Sequence, residues 1–412
     1  MAQQTGTVTL NDSPTLTAVD AHVLALLSKV DALAALNATM DGKLDDIIAT
    51  VDAIHAGEGG GGPDPEPPPA SNWPPAEPPA AGSVFDIPAG THPGAYHVEN
   101  PGVTIRGAGM RATILDGQGG GPSGSATRLA WGKGVVHTKG ADGLVIENLG
   151  IIGGGGWDND SDGEAAFYNE AGLATARLCA FDGNENGSYS TPKQFMDAGT
   201  TSKTVFDRCV FGRAAANGLG DGMSHDVYMG GDEIEISDSV FCGSSNGNSI
   251  KLRVNTATVE RCFVGRTHGR FIDCPGGTAL ATTGNVFQTA PGAQSNNAFG
   301  LFDEDDTLNT SGPGLWTSTD DTFIFGGRWM EIFWFNQQST ATFKRPQVYW
   351  WGDTPPTIIF CRSYDGSNPL PTPPEFALTE ANRIAGPVSV PGDPTARSAP
   401  LRLRPGLDWQ RG

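Results

Sequence analysis

Positive charge is what this 412-residue chain has least of: 26 Lys and Arg stand against 46 Asp and Glu, for a formal charge of -20. Binding along a phosphate backbone needs clustered Lys and Arg, and no such cluster occurs, so no nucleic-acid partner is expected. Long apolar runs are missing as well. No stretch approaches the roughly 18 consecutive apolar residues that a membrane-spanning helix requires, so no membrane insertion is expected. The opening residues Met1 to Val8 have neither the basic nor the apolar region of a conventional signal peptide, and the expectation is synthesis in the cytoplasm. Cysteine is sparse, six in all, and neither CxxC nor HxxxH spacing occurs. No metal is therefore expected, and the cysteines read as buried free thiols acting as small hydrophobes. The runs Gly59 to Gly62 and Gly153 to Gly156 lack the strand-and-helix context of a nucleotide loop, so no cofactor is expected.

What the chain does have is glycine, 57 residues of it, 30 prolines, and a repeated phrase. Short apolar strands ending in a polar or glycine turn recur at Val145 to Ile151, Ala176 to Phe181, Phe206 to Phe211, Ile236 to Phe241 and Val259 to Val264. Their anchors Leu149, Cys179, Cys209, Ser239 and Cys262 fall 30, 30, 30 and 23 residues apart. A fixed period of this size, with period-two alternation inside each unit, predicts a mainly β chain: one strand unit stacked on copies of itself as a parallel β-solenoid. Such a rod offers long flat faces suited to polymers.

A second period precedes the first. Over residues 16–56 the apolar residues alternate three and four apart, with Val23, Val30, Asn37, Leu44 and Val51 at one seam position and Leu26, Leu33, Met40, Ile47 and Ile54 at the other. That pattern predicts an α-helical coiled coil, and the flanking Leu27, Leu36 and Ile48 widen its apolar face toward a homotrimer. Residues 1–15 are short and polar and read as an anchoring peptide. Residues 57–83, rich in Gly and then Pro, read as a tether. The solenoid is placed at 84–315, and the Trp- and Pro-rich stretch 316–412 is read as a C-terminal cap or module that closes the rod.

Residues Gly222 to Gly230, with Ile234 to Phe241 and Asn248 to Arg253, resemble the right-handed parallel β-helix repeat proteins of the pectate-lyase-like superfamily. The match is to members with a His-x-x-Tyr, strand, Ile-Lys-x-Arg succession, and it covers roughly residues 84–300. The resemblance implies the fold. It leaves three functions open, because the superfamily holds polysaccharide lyases, epimerases and glycoside hydrolases as well as phage tailspikes and fibres that only bind. Joined to the coiled coil and the anchor, the layout looks like that of a virion-attached fibre or spike of a phage or phage-like particle. Its partners would be other virion proteins and host-surface polysaccharide, and its place the virion surface. A binding protein is the preferred reading, a polysaccharide-degrading or -modifying enzyme the second, and a scaffold or decoration protein of the particle the third.

Strand alternation narrows the site. Val227 and Met229 share the inward parity, which leaves Asp226 and Tyr228 outward; Ile250, Leu252 and Val254 point in, leaving Lys251 and Arg253 outward. Tyr228 and Lys251 each stand 11 residues before their anchors and are expected to stack on one face. Lys251 and Arg253 would neutralise an acidic sugar, and Tyr228, Asp226 or His225 would be the proton-transfer groups of an enzyme, although His225 carries the inward parity. The plainer alternative is a solvated face with cross-coil ion pairs. A hydrolase would draw a carboxylate pair from Asp221, Asp226, Asp232 and Glu233 or from Asp158 to Glu164. Trp350 and Trp351, with Trp329 and Trp334, are candidates for a sugar-stacking platform.

Overall fold

Short Val-, Ile-, Phe- and Thr-rich runs that alternate in polarity can bury one side only by stacking on a neighbour of the same kind. In the computed structural model they do so in parallel, coil upon coil. The structure describes residues 72–117, 134–155, 165–184, 186–190, 201–212, 214, 224–266, 268–275, 277–290, 293, 295–301, 313–326, 330–336, 338–363 and 366–388. The anchoring peptide, the heptad segment and most of the tether lie outside them.

Each coil contributes strands to three faces. The first runs from Tyr96–Val98 through Gly134–Lys139, Asn186–Tyr189, Ile272–Cys274 and Met330–Phe335 to Thr357–Cys361. The second runs from Val84–Asp86 through Leu144–Glu147, Ser202–Asp207 and Ala279–Thr283 to Thr340–Lys344. Three long strands, Ala165–Arg177, Val227–Ser237 and Ile250–Glu260, bend across the corner and belong to both, which joins the two faces into one 18-stranded sheet. The third face is a separate 10-stranded sheet from Gly90–Pro93 to Gln347–Trp351. All pairings are parallel except Thr357–Cys361 with Pro369–Leu370 at the C-terminal end.

The repeated phrase marks the corner between the second and third faces. The residue before each anchor turns the chain with a left-handed backbone: Asn148, Leu178, Arg208, Asp238 and Arg261 have φ between 48° and 55°, and Asp320 and Arg345 repeat it at 56° and 53°. Left-handed Leu and Arg are uncommon, so the corner is over-determined by what surrounds it. From Cys179 onward the anchor side chain turns inward and receives the N–H of the anchor one coil earlier. Leu149, Cys179 and Ser239 present their N–H groups to the sulfurs of Cys179, Cys209 and Cys262. Cys209 donates to Ser239 Oγ at 3.0 Å, Cys262 to Asn285 Oδ1 at 2.8 Å, and Asn285 to Asp321 Oδ1 at 2.8 Å. A corner N–H that the turn withholds from the ladder thus finds an acceptor from coil to coil. The period is the trace of this need. All six cysteines are free and buried, and burial pushes the thiols of Cys179 and Cys262 up to about 12, so they stay protonated.

Register also stacks the interior. On the third face Phe181, Phe211 and Phe241 lie ring on ring at 4.9 and 4.5 Å; on the first, Phe299, Phe333 and Phe360 do so at 4.9 and 4.5 Å. Such offset ring pairs add to the apolar burial that holds the coils together.

The strand columns do not stop at residue 315. Leu315–Thr319, Thr322–Gly326, Met330–Phe335, Thr340–Lys344 and Gln347–Trp351 continue all three faces in parallel pairing, with one register shift between Asn297 and Phe299. The period fades there because coil lengths vary, whereas the pairing does not. Closure of the rod falls instead to residues 362–388. Phe376, in the short turn Pro374–Phe376, lies within 5.0–5.3 Å of the rings of Phe323, Phe333, Phe343 and Phe360. Ile384 donates to Trp350 O at 2.8 Å and Asn382 Nδ2 to Val348 O at 3.1 Å, which covers the open edge of the last strand.

Candidate functional site

In-register stacking places equivalent positions of successive coils directly above one another, about 4.8 Å apart. On the outer side of the first face one such line is a ladder of rings. His97 meets His137 at 4.7 Å, His137 meets Tyr168 at 4.9 Å, Tyr168 stacks on Tyr189 at 5.1 Å, and Tyr189 meets Tyr228 at 4.7 Å. Tyr168 is only 3% exposed, whereas Tyr189 and Tyr228 are half-buried. The next positions on the line are Lys251, Asp273, Gly300 and Trp334.

Charge gathers where the rings end. Lys251 Nζ lies 5.2 Å from the centre of the Tyr228 ring and the Arg253 guanidinium 5.8 Å from it, both within reach of a cation–π attraction. One coil on, Asp273 is held between Arg270, at 2.9 Å from Oδ1, and Asn248 Nδ2, at 2.7 Å from Oδ2. Arg270 also lies 5.6 Å over the ring of Trp334. Three cations therefore stand within two coils of Tyr228, on a chain whose net charge is -20. The arrangement can stack a flat, partly apolar ring and neutralise an anion beside it.

The sequence-derived pair Tyr228 and Lys251 is found in direct register, and Arg253 is beside them. His225 lies behind the tyrosine, ring centres 5.4 Å apart, and is buried. Its Nδ1 accepts the N–H of Asn248 at 2.9 Å, which places its proton on Nε2. Burial, then the positive charge of Lys251, Arg270 and Arg253, holds its pKa well below the ordinary value, so it is neutral. The contact requires glycine at 247, where a Cβ would stand 1.9 Å from Ser224 O and 2.8 Å from this same Nδ1.

Two candidates are displaced. Asp226, expected outward, has no exposed surface, and its Oδ1 accepts the Ala214 N–H at 3.3 Å. The strand begins at Val227, so residue 226 belongs to the turn, where pleat alternation no longer sets side-chain direction. Trp350 is likewise fully buried. It shares the parity of the core residue Val348, donates from Nε1 to Thr379 O at 2.9 Å, and lies under Arg383 at 5.1 Å. A ring in that position offers no platform. Trp351 is half-buried and lies over Gly326 on the third face, apart from the Tyr228 line. Asp221, Asp158 to Glu164 and Trp329 lie outside the described residues. Asp232 serves the backbone, accepting from Ser202 N–H at 2.9 Å, and Glu233 pairs with Lys203 at 2.9 Å. Among the described residues no group of three or more His, Cys, Asp or Glu is placed to hold a metal ion.

Sequence reasoning missed Tyr168, Tyr189, Arg270 and Asp273, whereas Trp334, named as a stacking candidate, lies on the Tyr228 line under Arg270. The 11-residue offset that aligned Tyr228 with Lys251 also identifies Tyr168, which stands 11 before Cys179. Tyr189 escapes it because its strand ends there and the next face begins only at Ser202, whereas Tyr168, Tyr228 and Lys251 run on into that face within one strand.

Comparison with known proteins adds little. No family model matches this chain, and no curated protein matches it. Among solved structures, the crystal structure of Escherichia coli ybhc is similar over 75% of this chain and 70% of its own, with 11% identity and a TM-score of 0.31. A likeness of that size carries no argument about fold or function.

Proposed function

We propose that this chain is a fibre or spike on the surface of a phage or phage-like particle, and that it holds host-surface polysaccharide on the ring-and-cation face around Tyr228. In this reading residues 1–15 attach to other virion proteins, the heptads at 16–56 gather three copies, and the solenoid meets the host. One observation carries it: the half-buried rings of Tyr189 and Tyr228, backed by the buried Tyr168, pass directly to Lys251 and Arg253 on an otherwise acidic chain. Ring faces supply apolar contact for sugar rings, and the cations neutralise carboxylate-bearing sugars. A preformed surface of this kind binds without reorganising. Binding is favoured over turnover because His225 and Asp226, two of the three proton-transfer candidates, are closed off from solvent.

The test is incubation of the purified protein with capsular and exopolysaccharide from candidate hosts, following retention, polymer chain length and the absorbance of unsaturated uronates. Retention without shortening is expected, with Lys251→Ala and Arg253→Ala together weakening it at least ten-fold. Shortening would replace the adhesin by a depolymerase, and new absorbance would make it a lyase. Retention untouched by the double variant would remove this face, and no retention on any polymer would leave a scaffold or decoration protein.

A further inference from the structure

We propose that Trp334 is a second contact on the Tyr228 line, one that takes an uncharged sugar ring, and that the face therefore selects acidic polysaccharides in which charged and neutral sugars alternate. This rests on the polysaccharide reading of the Tyr228 face and deepens it.

The two ends of the line differ in how their cations are used. Among the described residues Lys251 meets the ring of Tyr228 and no carboxylate, which leaves its charge for a ligand. Arg270 is neutralised within the protein. Its guanidinium lies 2.9 Å from Asp273 Oδ1, and only 13% of its side chain is exposed. The buried Asn248 fixes this pair from behind. Its Nδ2 donates to Asp273 Oδ2 at 2.7 Å, its Oδ1 accepts the Arg270 N–H at 2.8 Å, and its own N–H goes to His225 Nδ1 at 2.9 Å. The approach requires glycine at 269, where a Cβ would stand 2.3 Å from Asn248 Oδ1. A guanidinium and a carboxylate held in this way offer a ligand no net charge.

Between Asp273 and Trp334 the line passes through Gly300, where no side chain stands. Arg270 crosses that gap and lies 5.6 Å over the Trp334 ring. It backs one face of the ring, and Trp334 as a whole remains half-buried, not closed off. A half-open aromatic ring beside a neutral ion pair gives a sugar apolar stacking and gives an anion nothing.

Spacing adds a second condition. Lys251 and Trp334 stand three coil steps apart, about 14 Å at about 4.8 Å each. A sugar unit in an extended polymer is about one such step long, so the sugars that reach both contacts are three places apart. In a strictly alternating polymer the sugar three places from a charged one is neutral, and both contacts are met at once. A polymer charged at every sugar instead brings a carboxylate to Trp334, where it loses water and finds no cation left to neutralise it.

The test measures the affinity of the full chain, over a range of salt, for hyaluronan, in which a uronate alternates with an uncharged sugar, and for polygalacturonate, which is charged at every sugar. Hyaluronan is expected to bind about three-fold or more tightly than polygalacturonate, and Trp334→Ala to weaken hyaluronan about five-fold with its salt dependence unchanged. Trp334→Phe, which keeps a ring, is expected to retain most of the affinity. Lys251→Ala is expected to lower both the affinity and its salt dependence, because it removes an exposed charge. Equal binding of the two polymers, no binding of either, or a Trp334→Ala variant that binds like the parent would overturn the inference. So would a loss that Trp334→Phe shares in full, since that marks damaged packing and not a missing ring. Host polysaccharide retained through Lys251 and Arg253 would, in each of these cases, leave the reading of the Tyr228 face standing, whereas its absence as well would remove both.

Discussion

The corner between the second and third faces is built twice from different chemistry. Up to Cys262 the inward residues are Leu149, Cys179, Cys209, Ser239 and Cys262; beyond it they are Asn285 and Asp321, buried just as completely. From Cys179 to Asp321, in both halves, the side chain receives an N–H from the preceding coil, and sulfur, hydroxyl, amide and carboxylate all serve as the acceptor, whereas Leu149 fills the same place with hydrocarbon alone. The difference lies in what each acceptor brings. A thiol brings no further polar atom to satisfy, whereas Asp321 must also take hydrogen bonds from the Asn285 amide at 2.9 Å, Thr282 at 2.5 Å and Ser318 at 2.6 Å. The C-terminal half thus carries a buried polar network, and it also holds the fully buried pair of Arg266 with Glu331 at 2.6 Å. Uniqueness of coil register comes from such networks only while every member is satisfied.

The largest effect is expected from breaking that pair. Glu331→Ala leaves Arg266 charged in the interior and is expected to destabilise by about 3–5 kcal/mol, measured by chemical denaturation. Asp321→Ala orphans the Asn285 N–H and two hydroxyls and is expected to cost about 2–4 kcal/mol. The pH dependence separates the corner from the site. The folded-state pKa of His225 lies below its unfolded value of 6.5, so the unfolded chain takes up the proton first. Stability is then expected to fall by about 1.4 kcal/mol per pH unit as pH drops below 6.5, and His225→Gln to flatten that slope in denaturation curves between pH 7 and 5. The smallest effect is expected at the thiols. Cys209→Ser should change stability by about 1 kcal/mol or less, because Ser239 already fills the equivalent place one coil on. A loss comparable to that of Asp321→Ala would show that the two halves are not built on one rule.

The solenoid was legible because the corner N–H takes an acceptor in coil after coil from Cys179 to Asp321, and that need writes a period into the chain. Tyr228 and Lys251 were legible for the same reason, since a constant offset from the corner fixes the register of the strand before it. Asp226 was misplaced where alternation stops deciding direction, and Trp350 although its parity with Val348 already points it inward. One sits in a turn, and the other is covered by a segment that folds back from residues 379–384. The continuation of the columns past residue 315 was hidden by unequal coil lengths, which erase a sequence period without altering pairing.

By itself, then, the sequence determined that short strands stack in parallel, where each coil turns, and which side of each strand is apolar, because these follow from local alternation and from one recurrent hydrogen-bonding need. Only the tertiary structure decided which outward residues share a line. The ladder from His97 to Tyr228, the gathering of Lys251, Arg253 and Arg270 at its end, and the closing of the rod by Phe376 all join residues many positions apart. Their adjacency depends on the summed lengths of the loops between them, a quantity that no local pattern encodes.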